Sequence, residues 1–243
     1  MFFGNEIFRL DRIDSTNNFA ANLISSQLCQ NGTAILAEEQ TAGRGQRDQV
    51  WESESNRNLL CSYILLPDNV SVDQLPYYNW MLSLALLETL QFFSIDAKIK
   101  WPNDIFVNGK KICGVLLENQ ISDGHIKSMI LGVGLNVNQT EFKIDSATSL
   151  KLETQIDFEI EKVFKVLNEG LNKWMLILLT HPAVIKEQYL KSLYLLNTNA
   201  KFKIGGKVVI GSVKSVNHLG QLVLSIDGEE KLFNHKEIEF MHS

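Results

Sequence analysis

Three polar clusters interrupt an otherwise apolar chain. The first is Gln40-Thr41-Ala42-Gly43-Arg44-Gly45-Gln46-Arg47, followed by Trp51. Glycines at 43 and 45 let backbone N–H groups come close to a ligand. Arg44 and Arg47 add fixed positive charge in fork geometry. Together these residues suit a carboxylate and a phosphate held side by side. On spacing alone, an exposed surface turn explains a Gly-Arg-Gly loop equally well.

The second cluster runs Lys100-Trp101-Pro102-Asn103-Asp104, then Asn108-Gly109-Lys110-Lys111-Ile112-Cys113-Gly114. A strand end accepts Trp-Pro-Asn-Asp; a helix does not. Asn103 and Asp104 supply oxygen ligands of the kind Mg²⁺ takes. Lys111 opens a strand and can place its ammonium over an anionic centre. Solvated hairpin charge is the competing account, reasonable for Lys110 and weaker for Lys111. The third cluster is Gly132-Val133-Gly134-Leu135-Asn136-Val137-Asn138. Its glycines invite close backbone approach, and Asn136 can reach a ribose or phosphate. A glycine-rich strand end is the commoner explanation of such a run.

The elements that must position these residues are legible in outline. Glu6 to Ile13 reads as a strand. Asp14-Ser15-Thr16-Asn17 supplies helix N-cap types, and Phe19, Ala20, Leu23 and Ile24 follow at helical spacing. Thr33 to Glu38 and Leu59 to Leu66 read as strands, the second fully buried. Leu75 to Phe93 is apolar nearly all round, as a deeply buried helix would be. Segments 97–100, 105–107, 111–119 and 126–134 fit a meander turned at Asn108-Gly109 and Asp123-Gly124. Ile156, Ile160, Val163, Phe164, Leu167, Leu171, Trp174 and Leu178 keep one helical face, and a shorter helix lies near Ala183 to Ser192. From Lys201 to Phe240 short strands and turn signals predict a small barrel of the SH3-like kind.

Composition excludes several classes. The chain has 243 residues, 23 Lys plus Arg against 28 Asp plus Glu, and a net charge of −5. A nucleic-acid-binding surface usually carries a basic excess. Cys29, Cys61 and Cys113 are odd in number and widely spaced, which argues against disulfides and a thiolate zinc site. No basic leader precedes an apolar run, and the longest apolar stretch, Trp174 to Leu179, cannot span a bilayer. A cytoplasmic location is expected. The five histidines all lie at or beyond His125, away from the first clusters, so a histidine-assisted nucleophile centred there is not expected. No phosphate-binding P-loop or dinucleotide fingerprint is present.

In order and spacing, the series Asp14-Ser15-Thr16-Asn17, Gln40 to Arg47, Lys100 to Asp104, Lys111-x-x-Gly114 and Gly134 to Asn138 resembles the biotin protein ligases. The dense part of the resemblance is Asp11 to Asn138; beyond it the likeness is one of character. It implies an α+β fold: a mixed sheet with packed helices, like class II aminoacyl-tRNA synthetases and biotin synthetases, plus a C-terminal SH3-like barrel. A catalytic domain over 1–197 and a barrel over 198–243 follow from it.

The resemblance also implies ATP, biotin and Mg²⁺, with biotinoyl-AMP as intermediate and a biotin carboxyl carrier protein as acceptor. Lys111 and Arg44 match its catalytic positions. Ser15, Thr16, Asn17, Gln40, Gly43, Arg44, Gly45, Gln46, Lys111, Gly114 and Leu116 match its biotin side. Arg47, Trp51, Asn103, Asp104 and Asn136 match its adenylate side, with Asp104 also a candidate Mg²⁺ ligand. Asp48 and Asn56 stand where the family usually has glycine, and both types tolerate left-handed backbone. Gln49 replaces a frequent cation.

Two further readings follow from what the sequence omits. A lipoate or octanoate transferase would carry an Arg-rich loop, a Gly-Gly-Gly stretch and a His-Asp pair, none of which occurs. A DNA-binding biotin sensor would need a helix-turn-helix of about sixty residues before Asp14. The expectation is therefore a ligase without DNA or membrane contacts and without a repressor role, with homodimerisation left open.

Overall fold

A computed structural model describes residues 2–46 and 49–241. The main sheet contains β1 (Ile7–Ile13), β2 (Ala34–Gln40), β3 (Leu59–Leu65), β4 (Val70–Ser71), β5 (Lys98–Lys100), β6 (Asp104–Val107), β7 (Lys110–Ser122) and β8 (His125–Leu135). Its order is β1-β2-β3-β8-β7-β6-β5, with β4 added beside β8. Only β1 and β2 pair in parallel, because α1 (Thr16–Ser25) crosses between them. The other strand-to-strand pairings of this sheet among the described residues are antiparallel. The predicted tight turns form as expected: Asn108-Gly109 has φ of 50° and 79°, Asp123-Gly124 has 52° and 73°.

One face of the sheet is buried in the large core and the other is only partly covered. Leu59, Cys61, Tyr63 and Leu65 of β3 point into the large core with Met129, Leu131, Val133 and Leu135 of β8. That core is covered by α2 (Leu75–Phe92), α4 (Ile160–Thr180) and α5 (Pro182–Lys191), and α2 is apolar all round because it is packed against the sheet and both other helices. Each fully buried large side chain here is worth about 2 kcal/mol of transfer free energy. The opposite face holds a smaller cluster of Ala20, Leu23, Ile35, Ile64 and Ile130 under α1. Beyond that cluster the same face is left open.

One expected helical stripe divides. A short helix α3 (Leu150–Thr154) ends at Gln155, whose φ is 62°, and α4 starts only at Ile160. Ile156 lies between them and is 56 % exposed, so it is not part of the buried stripe. The C-terminal strands β9 (Asn199–Ile204), β10 (Lys207–Val216), β11 (Leu222–Ile226), β12 (Glu229–Phe233) and β13 (Ile238–Phe240) form an antiparallel sheet ordered β12-β11-β10-β9-β13. Among the described residues β12 and β13 stand at opposite ends, so this is a five-stranded sheet and no closed barrel is formed by strand pairing. Phe202, Val213, Leu222 and Ile238 run into the large core, which docks the sheet onto the rest of the chain.

Candidate functional site

Register explains the open face. Three cross-strand rows lie on it across β3, β8 and β7: Leu60–Gly134–Gly114, Ser62–Gly132–Leu116 and Ile64–Ile130–Glu118. The first two rows contain three glycines, which leave the backbone of β8 and of β7 at Gly114 without side chains there, as a floor. A methyl group on Gly134 would stand 2.4 Å from the indole of Trp51, and one on Gly132 would stand 2.3 Å from Oδ1 of Asn17. The Gly-Val-Gly run is therefore glycine because two polar side chains lie flat on it.

Lys111 joins this face through an irregularity. Residues three apart on a regular strand point to opposite faces, yet Lys111 Nζ would lie 3.2 Å from a methyl on Gly114. The cause is a bulge: Cys113 pairs with Ile105 and Lys111 with Phe106, so Ile112 is extra. Ile112 and Cys113 both turn into the core, at 0 % exposure, and Lys111 is returned to the glycine side.

The loop after β2 folds back across the floor. Trp51 N donates to Gly43 O at 2.9 Å, Gly45 N donates to Gln49 O at 2.7 Å, and Arg44 bridges to Val50. A methyl on Gly43 would stand 2.5 Å from Trp51 O, so this return path requires glycine. Asn56 has φ of 59°, the left-handed conformation that its type tolerates. Arg44 is held to Glu118 by Nη2–Oε1 at 2.7 Å and Nη1–Oε2 at 3.2 Å, and Nη1 also donates to Asn18 Oδ1 at 2.8 Å.

At the N-terminal end of α1 a buried polar network forms. Thr16 N and Oγ1 donate to Gln40 Oε1 at 2.7 and 3.0 Å. Ser62 Oγ lies 2.7 Å from Thr16 Oγ1 and 2.6 Å from Asn17 Oδ1. Asn17 Nδ2 donates to Glu118 Oε2 at 2.8 Å. Ser62 and Glu118 escape the motif-based reading, although each leaves a signal: a hydroxyl in the buried run Leu-Leu-Cys-Ser-Tyr-Ile-Leu, and a carboxylate following the apolar run Val-Leu-Leu.

The far end of the cleft gathers charge. Lys111 Nζ pairs with Asp104 Oδ1 at 2.7 Å and lies 5.5 Å over the Trp51 ring. Lys100 stands over Phe106 at 4.4 Å and Phe240 at 5.5 Å. Burial pulls the Lys100 ammonium below the usual lysine range, Asp104 opposes that pull, and Lys111 adds to it. The Asn103 amide donates to Val115 O, and Val115 N returns a bond to Asn103 O, which fixes the entry to β6. Asn136 donates through Nδ2 to Thr148 O at 2.9 Å, while its Oδ1 is buried without a partner. Trp51 Nε1 is likewise buried and unpartnered.

These elements surround one cleft of about 1320 Å³. Ser15, Thr16, Asn17, Gln40, Gly43, Arg44, Gly45, Gln46, Trp51, Asn103, Asp104, Lys111, Gly114, Leu116 and Asn136 are all on its wall. Arg47 and Asp48 lie outside the described residues. The C-terminal sheet contributes His235, Lys236 and Phe240, which sequence distance concealed. His235 meets Trp101 edge to face at 5.9 Å, and Trp101 Nε1 donates to Gly220 O at 2.8 Å. Among the described residues no three His, Cys, Asp or Glu side chains come together as a metal cage. Asp104 is a single carboxylate already paired with Lys111, a donor set that suits Mg²⁺ only where a ligand's own oxygens complete the sphere.

Fold and cleft together define an α+β domain with a cleft, lined by Arg44 and Lys111, on the open face of a mixed sheet. Residues 10–136 match the family model of the biotin/lipoate A/B protein ligases, and the chain belongs to that family. The bifunctional ligase/repressor BirA of Bacillus spizizenii is 37 % identical over 154 residues, covering 60 % of this chain and 46 % of that protein. The chain thus spans about half the length of that relative. The biotin–[acetyl-CoA-carboxylase] ligase of Mycobacterium tuberculosis is 25 % identical over 238 residues, covering 90 % and 84 %. The fold is shared with a solved biotin protein ligase of Aquifex aeolicus in complex with biotin and ATP, at a TM-score of 0.80, 24 % identity, and coverage of 99 % and 100 %.

Proposed function

We propose that this protein joins biotin to a lysine of a biotin carboxyl carrier protein, using ATP. In the first step a biotin carboxylate oxygen attacks the α-phosphorus, and pyrophosphate leaves to give biotinoyl-AMP. In the second the carrier's lysine amine attacks the acyl carbon, and AMP leaves. Neither step needs a nucleophile from the enzyme. What must be supplied is alignment of two anions and cancellation of their repulsion.

The observation that carries this reading is the placement of Arg44 and Lys111 on the wall of one glycine-floored cleft, with Trp51 across the floor. Arg44 would face the carboxylate and α-phosphate, and Lys111 the pentavalent phosphorus. Ser15, Thr16, Asn17 and Gln40, with Gly114 and Leu116, would receive the biotin ring system. Gly43, Gly45 and Gln46 would close over it. Trp51 offers a stacking face to adenine, and the orphaned Oδ1 of Asn136 an acceptor for its amino group. Mg²⁺ would enter on the ATP phosphates, with Asp104 as one added oxygen.

We read residues 1–197 as the catalytic unit and 198–243 as a module that closes the phosphate end. The unpaired edge of β1 offers the backbone groups by which a second copy would extend the sheet. A repressor role, part of the Bacillus relative's name, is not included; a site-specific gel shift would add one.

The test is biotin-dependent exchange of labelled pyrophosphate into ATP. Robust exchange supports the reading, and none in the presence of biotin and Mg²⁺ defeats it. The family model also covers lipoate ligases. Thermal shift with biotin against lipoate separates the two, biotin being expected to give the larger stabilisation.

A further inference from the structure

Glu118 is the one charged side chain in the three rows that cross β3, β8 and β7 on the open face. A pair as exposed as Arg44–Glu118, at 45 % and 31 %, contributes about 0–1 kcal/mol to folding. Stability therefore does not account for it. Its surroundings are more telling. Glu118 Oε2 is fixed by Asn17 Nδ2 at 2.8 Å, and Asn17 Oδ1 is in turn 2.6 Å from Ser62 Oγ. Asn17 and Ser62 are 4 % and 0 % exposed, so the carboxylate is oriented by buried, immobile groups.

The geometry at Arg44 is equally specific. Glu118 takes the end-on fork, one proton from each Nη, and Asn18 takes the remaining Nη1 proton. The side-on fork, made by Nε–H and the second Nη2–H, has no partner among the described residues. Such a fork matches a carboxylate or phosphate bidentately. Arg44 lines the cleft and Glu118 does not.

We infer that Glu118 is a positioning residue for Arg44. Its carboxylate grips the guanidinium from behind and presents the side-on fork to the anionic ligand; the identity of that ligand rests on the function proposed above. The chain Ser62–Asn17–Glu118–Arg44, buried at its Ser62–Asn17 end, thereby couples the seat of the uncharged ring system to the cation that meets the charges. Without Glu118 the arginine keeps its charge but loses its bearing.

The test is a double-mutant cycle with Glu118→Gln and Arg44→Ala, read by pyrophosphate exchange and by biotin affinity from calorimetry. Glu118→Gln keeps the side-chain shape and one acceptor, so the melting temperature should stay within about 2 °C. In the wild-type background it should lower kcat/KM about tenfold. In the Arg44→Ala background the same change should cost less than twofold, because its effect runs through Arg44. An equal loss in both backgrounds would show a direct or merely structural role and overturn the inference. A second measurement needs no turnover: ¹⁵N relaxation of the Arg44 Nε–H group in the ligand-free protein. That group should be rigid in the wild type and mobile in Glu118→Gln, and unchanged order overturns the inference. If the wild type shows no exchange, the proposed function fails, and relaxation still decides the positioning role.

Discussion

Gly134 is a glycine because Trp51 lies on it: a methyl group there would come within 2.4 Å of the indole. The two residues are far apart in sequence and belong to different motifs, so each explains the other only in the folded chain. Gly134→Ala should push the indole off the floor, raise the KM for ATP at least tenfold and shift Trp51 emission. Gly132→Ala should act on the other substrate, because its methyl would strike Asn17. Measured side by side, the two variants should separate ATP from biotin affinity; equal effects on both ligands would show that the floor is not divided as described.

Lys111 is a reaction residue by proposal and a poor stability residue by geometry. Its pair with Asp104 is about a third exposed on each side, which makes it worth about 0–1 kcal/mol. Lys111→Ala should abolish biotin-dependent exchange and lower the melting temperature by less than about 3 °C. Near-normal turnover in that variant would remove Lys111 from the mechanism.

Ser62→Ala deletes the hydroxyl at the centre of the buried network. Asn17 Oδ1 and Thr16 Oγ1 each lose a neighbour within 2.7 Å. Leaving buried polar groups unpaired costs about 1–3 kcal/mol. Urea unfolding should show a loss in that range, and calorimetry a weaker affinity for biotin than for ATP relative to wild type.

Thiol chemistry should separate the cysteines. Burial pushes the Cys61 thiol up to about 12 and Cys113 well above its usual value, and both are fully enclosed. Cys29 is only partly covered, and burial raises its thiol as well. A thiol-disulfide reagent at pH 8 should therefore titrate one cysteine slowly in the native protein and three in denaturant. Fast reaction of two or more native thiols would contradict this packing.

Acid stability should carry a small term from Asp14. The Asn18 amide, donating at 2.6 Å, holds its carboxyl below the usual aspartate range. A carboxylate with a depressed folded value stabilises the protein above the unfolded value and loses that contribution as pH falls through the folded one. Asp14→Asn should therefore cost about 0.3 kcal/mol at pH 7 and nothing near pH 2, given its exposure. Urea melts at the two values check the sign.

Much of the fold is legible in local pattern. Apolar periodicity places α1, α2 and the meander, and Asn-Gly and Asp-Gly pairs mark hairpins that do adopt positive φ. Misreadings arise where a local pattern lacks its tertiary partner. Ile156 continues a helical stripe in sequence, but Gln155 breaks the helix before it. The C-terminal strand and turn signals, by contrast, do become a small five-stranded antiparallel sheet, although strand pairing among the described residues does not close it.

The sequence by itself determined which residue types are available: two cations in glycine-bearing motifs, an indole, and a run of N-cap residues, in an order that already marks the family. It did so because each motif is a short-range property of composition and spacing. Only the tertiary structure decided how they combine. A single inserted residue, Ile112, turns Lys111 to the glycine face. Strand register stacks Gly114 against Gly134 and Leu116 against Gly132, and so clears the floor. The fold brings Glu118 and Ser62 behind Arg44, and His235 and Lys236 into the cleft wall from the far end of the chain. These are contacts between residues distant in sequence, and register and packing, which no local pattern encodes, create them.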